Sequence, residues 1–379
     1  MSRNYQGTGF KNFLIALILI LGAALLFGVV WAPARAKDLF GPADPSLNIL
    51  QRSRSALALL SAKEELLNGR PLGGKSGKFA IAEDESVRSI CLRLKTEGYV
   101  ASAEAVCTFL TYSGLDRMVQ TGTFTIKQQY TALEIARRIA DPNARDIAFI
   151  VFAGWRLEEV AAAVDAAGFA FSGQEFLDHA FKPTAAERAL LNIPGNATLE
   201  GYIYPDAYSF EPDITLENMV AVILGRFSAA SQDSRVQEGL TRQNLSLHQA
   251  VILASIIERE TRADEEKALM ASVFYNRLEA GMRLETDPTV QYALGYDPVG
   301  KTWWKSPLYL DDLAVNSPYN TYQNSGLPPG PISNPALATL IAAVQPEESP
   351  YFFFRARCDG SGTHVFSITF EEHLNNACP

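Results

Sequence analysis

The sequence predicts an α+β protein in three parts: a single N-terminal transmembrane helix, a small βααβ unit, and a larger, mostly helical domain that ends in a hairpin. Three observations carry this. Residues 13–31 contain no charged side chain. Between residues 79 and 126, two short β-branched or aromatic runs flank two stretches of helical periodicity. From Trp155 to Val344 apolar residues recur mainly at helical spacing, and two strand-like runs then close around Gly360-Ser361-Gly362.

The uncharged run would span about 28 Å as a helix, close to a hydrocarbon core of about 30 Å. Arg3 and Lys11 precede it and no acid does. This orients residues 1–12 as a cytoplasmic tail, with the rest of the chain on the far side of a cytoplasmic membrane. Ala34-Arg35-Ala36 resembles a signal-peptidase site, so a cleaved leader is the other reading; the length of the run favours a retained anchor at 13–31. Residues 32–78 read as a helical linker, with leucines at 57, 60, 66 and 67 and a Gly/Lys/Pro-rich stretch from Gly69 to Lys78.

The small unit is placed at residues 79–152. Phe79–Ala82 reads as a strand, and Glu85–Glu97 as a helix stopped by Gly98. Ser102–Tyr112 reads as a second helix stopped by Gly114, and Thr121–Ile126 as a strand. Tyr130–Ala140 and Ile147–Phe152 extend it. The large domain, 153–379, starts with the alanine-rich helix Trp155–Ala167. Ser172 and Glu175 form a capping box before another helix. An aromatic segment, Leu199–Phe210, follows, then helices at Thr215–Ala229, from Ser246 through Glu258 to Arg262, and at Asp264–Ala280. Residues 282–334 read as loop, with seven prolines. A helix at Pro335–Val344 and a hairpin of Tyr351–Ala356 with Thr363–Ile368 complete the chain.

Composition narrows the chemistry. Thirty-three basic and 42 acidic residues give a net charge of −9, which argues against a nucleic-acid partner. Nucleotide-binding glycine loops, HExxH, GxSxG and CxxC are all missing, so neither a metal nor a cofactor is expected. Cys91, Cys107, Cys358 and Cys378 could form two disulfides by any of three pairings, or remain thiols.

The helix Val251–Ile257 is apolar almost all round and then presents Glu258. A carboxyl at the mouth of an apolar wall has a raised pKa, which suits a general acid; an ion pair with Arg262 is the alternative. Glu260 lies about 200° further round the helix and so points away from Glu258. Glu200 and Asp206, interleaved with Tyr202, Tyr204 and Tyr208, have the composition of a sugar cleft or of an aromatic packing strip. Asn276-Arg277 sits near a helix end. Tyr319-Asn320-Thr321-Tyr322 and Gly326–Ile332 form a stiff loop of a length that usually has a function.

Taken in order, Gly154–Glu158, Leu199–Asp206, Ala254–Thr261, Ala271–Leu278, Gly281–Thr289, Tyr319–Tyr322, Gly326–Ile332 and Gly362–Phe366 resemble the YceG-like family of membrane-anchored endolytic murein transglycosylases. The resemblance implies a LysM-like βααβ unit and a lytic transglycosylase catalytic domain. It implies Glu258 as the catalytic residue, with Glu200, Tyr202, Asn276, Asp287, Tyr319, Asn320 and Tyr322 lining the glycan cleft. It implies peptidoglycan strands as substrate and peptidoglycan synthases as partners. The reaction implied is non-hydrolytic cleavage of the MurNAc-β-1,4-GlcNAc bond, leaving a 1,6-anhydroMurNAc end and trimming nascent strands at the membrane. A lysozyme-like hydrolase needs a second carboxylate beside the acid, and a silent glycan-binding scaffold needs neither.

Overall fold

In the computed structural model, residues 11–18, 22, 27–68 and 75–378 are described. They divide into two units, residues 1–146 and 147–379. Among the described residues no helix is long and apolar enough to cross a membrane; the predicted span at 13–31 lies partly outside them.

In the first unit, Ala32, Ala36 and Phe40 recur at four-residue spacing and bury one face of α1 (Ala32–Phe40). Asn48 and Gln51 form a capping box that opens α2 (Ile49–Ser61), which buries Ala56 and Leu59; α3 (Lys63–Leu67) buries Leu66. These side chains share one core with Phe79, Ile90, Leu94, Phe109 and Phe124. The segment expected as a linker thus packs onto the small unit, because each of its helices has an apolar stripe to cover.

The βααβ core is as predicted in order. β1 (Gly77–Ile81) pairs antiparallel with β2 (Gly122–Ile126), Phe79 opposite Phe124. Between them run α4 (Val87–Thr96) and α5 (Ala103–Ser113), capped by the Ser86 and Ser102 hydroxyls. A Cys91–Cys107 disulfide joins α4 to α5, with Cα atoms 5.9 Å apart. α6 (Ala132–Ile139) covers the sheet, and buried Asp146 ends the unit by accepting from the Thr125 N–H and hydroxyl at 3.0 and 2.8 Å.

The strand expected to extend that unit belongs to the second one. β3 (Ile147–Val151) pairs antiparallel with β4 (Asp206–Phe210), Phe149 opposite Tyr208. Both strands bury alternate residues, and pairing decides where each belongs. Around them stand α7 (Leu157–Ala167), α8 (Gly173–Phe181), α9 (Ala185–Leu191), α10 (Leu216–Ser231) and α11 (Ser234–Gln243). Next come α12 (Leu247–Glu260), α13 (Lys267–Glu279), α14 (Asp287–Leu294) and α15 (Leu337–Val344). β5 (Phe353–Ala356) and β6 (His364–Ser367) form the expected hairpin, followed by α16 (Phe370–Asn375). A Cys358–Cys378 disulfide ties the end of α16 back to the hairpin.

Helix α14 falls inside the stretch read as loop. Its Pro288 stands in the first turn, where the missing N–H costs nothing, so the proline marks a start and not a break. The centre of the unit is α12, whose Ala250–Ile257 are all buried.

Candidate active site

Helix α12 opens on the predicted cap, Ser246 with Gln249, and carries its two acids to opposite sides at its far end. Glu258 is held on the side covered by α15. Its Oε2 accepts from the Ala336 N–H at 2.9 Å and from the Thr339 hydroxyl, which caps the N-terminus of α15. Its Oε1 lies 3.5 Å from Nζ of Lys267, itself buried and 2.7 Å from Asp264. The ion-pair partner is therefore Lys267 instead of Arg262, and Glu258 serves as a helix cap.

Glu260 faces a different space, a cleft of about 430 Å³ that it lines with Asp287, Glu285, Tyr322 and Arg277. Burial pushes its carboxyl up from the ordinary range to about 8, the Asp287 charge adds to this, and Arg277 and Arg259 oppose it. At neutral pH the group carries a proton.

The wall opposite α12 is assembled by three threonines. The Thr321 Oγ1 accepts from the Thr286 N–H at 3.0 Å and lies 2.8 Å from the Thr289 Oγ1, which donates to the Thr286 carbonyl at 2.7 Å. This pins the loop carrying Tyr322 to the start of α14, so the Tyr322 hydroxyl donates to Asp287 at 2.7 Å. Glu285, beside them, has a φ of +49° although it is not glycine, a strained conformation of the kind that accumulates at working sites.

The proline-rich loop docks on α12 through Ser255, whose hydroxyl accepts from the Ile332 N–H at 3.0 Å and donates to the Ile252 carbonyl at 2.7 Å. A Cβ at Gly201 would lie 2.6 Å from Pro331 and 2.7 Å from Val251, so only glycine allows this approach. Buried Asn334 links the loop to residues 154–155 and 203: it donates to the Trp155 carbonyl and accepts from the Ile203 N–H. Asn334 and the three threonines are site-building residues that sequence reasoning did not single out, because their role lies in contacts between distant segments.

Of the residues expected to line a glycan cleft, Asp287 and Tyr322 do line this one. The others are placed elsewhere or otherwise engaged. Glu200 is only 1% exposed, accepts from the Leu157 N–H at 3.2 Å and the Tyr292 hydroxyl at 3.3 Å, and is held near 8 by burial and by Glu158. Tyr202 is buried, its hydroxyl 2.7 Å from His248 Nδ1 and its ring edge-on to Phe227. Asn276 donates to the Ser349 and Tyr351 carbonyls, both at 2.8 Å, fixing the chain that leads into β5. Asn320 is buried and donates to the Leu313 and Val315 carbonyls. Tyr319 packs on Tyr292, ring centres 4.9 Å apart. Polar side chains at these spacings look alike in sequence whether they bind a ligand or the chain's own backbone; the fold uses four of these five to satisfy buried polar groups of its own.

The YceG-like family model matches residues 79–378. The chain belongs to the YceG-like family. It is 30% identical over 307 residues to the endolytic murein transglycosylase of Bacillus subtilis (strain 168), covering 77% of this chain and 81% of that one. It is 30% identical over 181 residues to the endolytic murein transglycosylase of Streptococcus pneumoniae serotype 2, which covers 47% of this chain and 31% of that longer one. The crystal structure of a yceG-like protein from Listeria monocytogenes superposes with a TM-score of 0.54 at 29% identity, over 80% of this chain and 99% of that one. The matched region takes in the whole cleft, Glu260 included.

Proposed function

We propose that this YceG-like protein is an endolytic peptidoglycan lytic transglycosylase in which Glu260 is the acid and base. One observation carries the assignment: of the two acids that end α12, Glu260 lines the cleft, where burial raises its pKa to about 8, whereas Glu258 is consumed as a helix cap and ion-pair partner. The proposal thus replaces Glu258, the residue the motif suggested, with the acid two positions on.

Protonated Glu260 gives its proton to the oxygen linking C1 of N-acetylmuramic acid to C4 of N-acetylglucosamine. The C1–O bond breaks with oxocarbenium character, and the glucosamine leaves with its hydroxyl restored. The resulting carboxylate takes the proton from the C6 hydroxyl of the same muramoyl residue, whose oxygen closes on C1 to form the 1,6-anhydro end. The proton count balances and no water is consumed. Asp287, fixed by Tyr322, places a negative charge near the developing cation.

A hydrolytic outcome has a specific observation in its favour too. Glu285 and Asp287 line the same cleft, so a carboxylate able to activate water is at hand. Residues 13–31 would hold the chain to the cytoplasmic membrane with the second unit outside it, close to nascent strands and their synthases. The basic residues before the uncharged run and the two disulfides support that placement.

The test is mass spectrometry of products from purified peptidoglycan incubated with the full chain and with Glu260→Gln. Internal fragments ending in 1,6-anhydromuramic acid, absent with the variant, are the expected result. Reducing ends make it a hydrolase. No products from the unaltered protein count against an enzyme altogether.

A further inference from the structure

The mechanism uses one side of the cleft. The C-terminal hairpin, α16 and Arg277 of α13 also line the cleft, and their chemistry is different. Arg277 and Arg355 both line it, and neither is paired with a carboxylate among the described residues. Arg277 is buried and spends two of its N–H groups on the Phe352 and Leu284 carbonyls, at 2.6 and 2.5 Å, with its guanidinium 5.2 Å from the Phe353 ring centre. Arg355 stands two residues along the same strand, so both its side chain and that of Phe353 leave the same face of the hairpin. Among the described residues its side chain makes one hydrogen bond, to the His373 carbonyl at 3.5 Å. His373 packs against Phe353 and Phe370, and its Nδ1 is buried with no partner among the described residues. Burial and then the neighbouring arginines Arg355 and Arg277 lower the pKa of its imidazole.

A buried guanidinium, a second one held loosely and an unsatisfied imidazole nitrogen share the cleft with Glu260, Glu285 and Asp287, so it holds charges of both signs. The buried His373 Nδ1 lacks a partner among the described residues, and the arginine N–H groups not spent on carbonyls remain to meet an anion. Resting on the glycan reading above, we propose that Arg355, Arg277 and His373 form an anion subsite that binds a carboxylate carried on the lactyl arm of the muramoyl residue. Two sources offer that group: the acidic residues of a stem peptide, or the lactyl carboxylate left on a strand stripped of its peptides. The Phe353 and Phe370 rings beside the arginines provide a face for the arm's apolar atoms. The subsite would make muramic acid, and not N-acetylglucosamine, the sugar presented to Glu260.

The test uses the full chain carrying Glu260→Gln, so that ligands survive, and calorimetric titration with three soluble oligosaccharides of equal length. One bears stem peptides, one has been stripped by an amidase, and one is an N-acetylglucosamine oligomer with no carboxylate. The expected result is affinity for at least one muramoyl ligand about tenfold or more above the neutral oligomer, the size of a charge-assisted hydrogen bond. Whichever muramoyl ligand binds more tightly identifies the source. Adding Arg355→Gln should bring its affinity down to that of the neutral oligomer without moving the thermal midpoint. Equal affinity for all three, or an equal loss across all three in the Arg355 variant, overturns the subsite and leaves the glycan reading intact. Binding of none overturns both.

Discussion

Exchanging the two acids of α12 one at a time separates their roles by opposite signatures. Glu258→Ala removes the acceptor for the Ala336 N–H and the Thr339 hydroxyl, and leaves buried Lys267 with only exposed Asp264. Breaking a buried pair by deleting one partner costs roughly 3–5 kcal/mol. For a domain of this size that lowers the melting temperature by on the order of 10 °C. Glu260→Gln replaces a carboxyl that must take up a proton to fold at pH 7 with a neutral amide of the same shape, so its melting temperature at pH 7 should be no lower than that of the unaltered protein. Its turnover should fall by roughly 10²–10⁴, the contribution of a positioned general acid. The assays are a thermal melt by circular dichroism and the release of soluble muropeptides from labelled peptidoglycan, at a temperature where both variants remain folded. The reasoning fails if Glu260→Gln keeps its turnover, or if Glu258→Gln abolishes turnover with an unchanged melt.

Further outcomes follow from the same geometry. Glu260 keeps its proton up to about pH 8 when folded and loses it near 4.5 when unfolded, so folding takes up a proton between those values and stability falls as pH rises through that window. Glu260→Gln should therefore gain melting temperature relative to the unaltered protein between pH 5 and pH 8, and the activity of the unaltered enzyme should decline above about pH 8 as the acid ionises. Gly201→Ala should destabilise by roughly 1–3 kcal/mol, read as a lowered melting temperature, because its Cβ meets Pro331 and Val251 and its φ is +87°. Glu200→Gln should leave KM for peptidoglycan unchanged, since the group is buried away from the cleft; a large rise in KM would return Glu200 to the substrate. Removing the Cys358–Cys378 bridge with paired Ser substitutions should cost roughly 3 kcal/mol in a chain-entropy account, measured by chemical denaturation.

Much of this protein could be read along the chain. The βααβ order, the capping boxes at Ser172 and Ser246, the helix at 247–260 and the terminal hairpin depend on periodicity and caps within a few residues of one another, and those signals are complete in the local sequence. What was misread concerned partners far away. Ile147–Val151 alternates like any half-buried strand, and only its register with Asp206–Phe210 assigns it to the second unit. Asn276 and Asn320 have the polarity of ligand-binding residues, yet their amides are occupied by backbone carbonyls brought to them by the fold.

The sequence by itself determined that α12 ends in two acids facing apart, because helical geometry fixes the angle between residues two positions apart. It also determined the family, since several long motifs recur in fixed order. Which acid would work was decided only in three dimensions. α15 docks on one side of α12 and turns Glu258 into its cap, while the Thr286–Thr289–Thr321 contacts and the C-terminal hairpin enclose the other side and desolvate Glu260. A carboxyl's pKa is set by what surrounds it, and those surroundings come from segments tens of residues away in the chain.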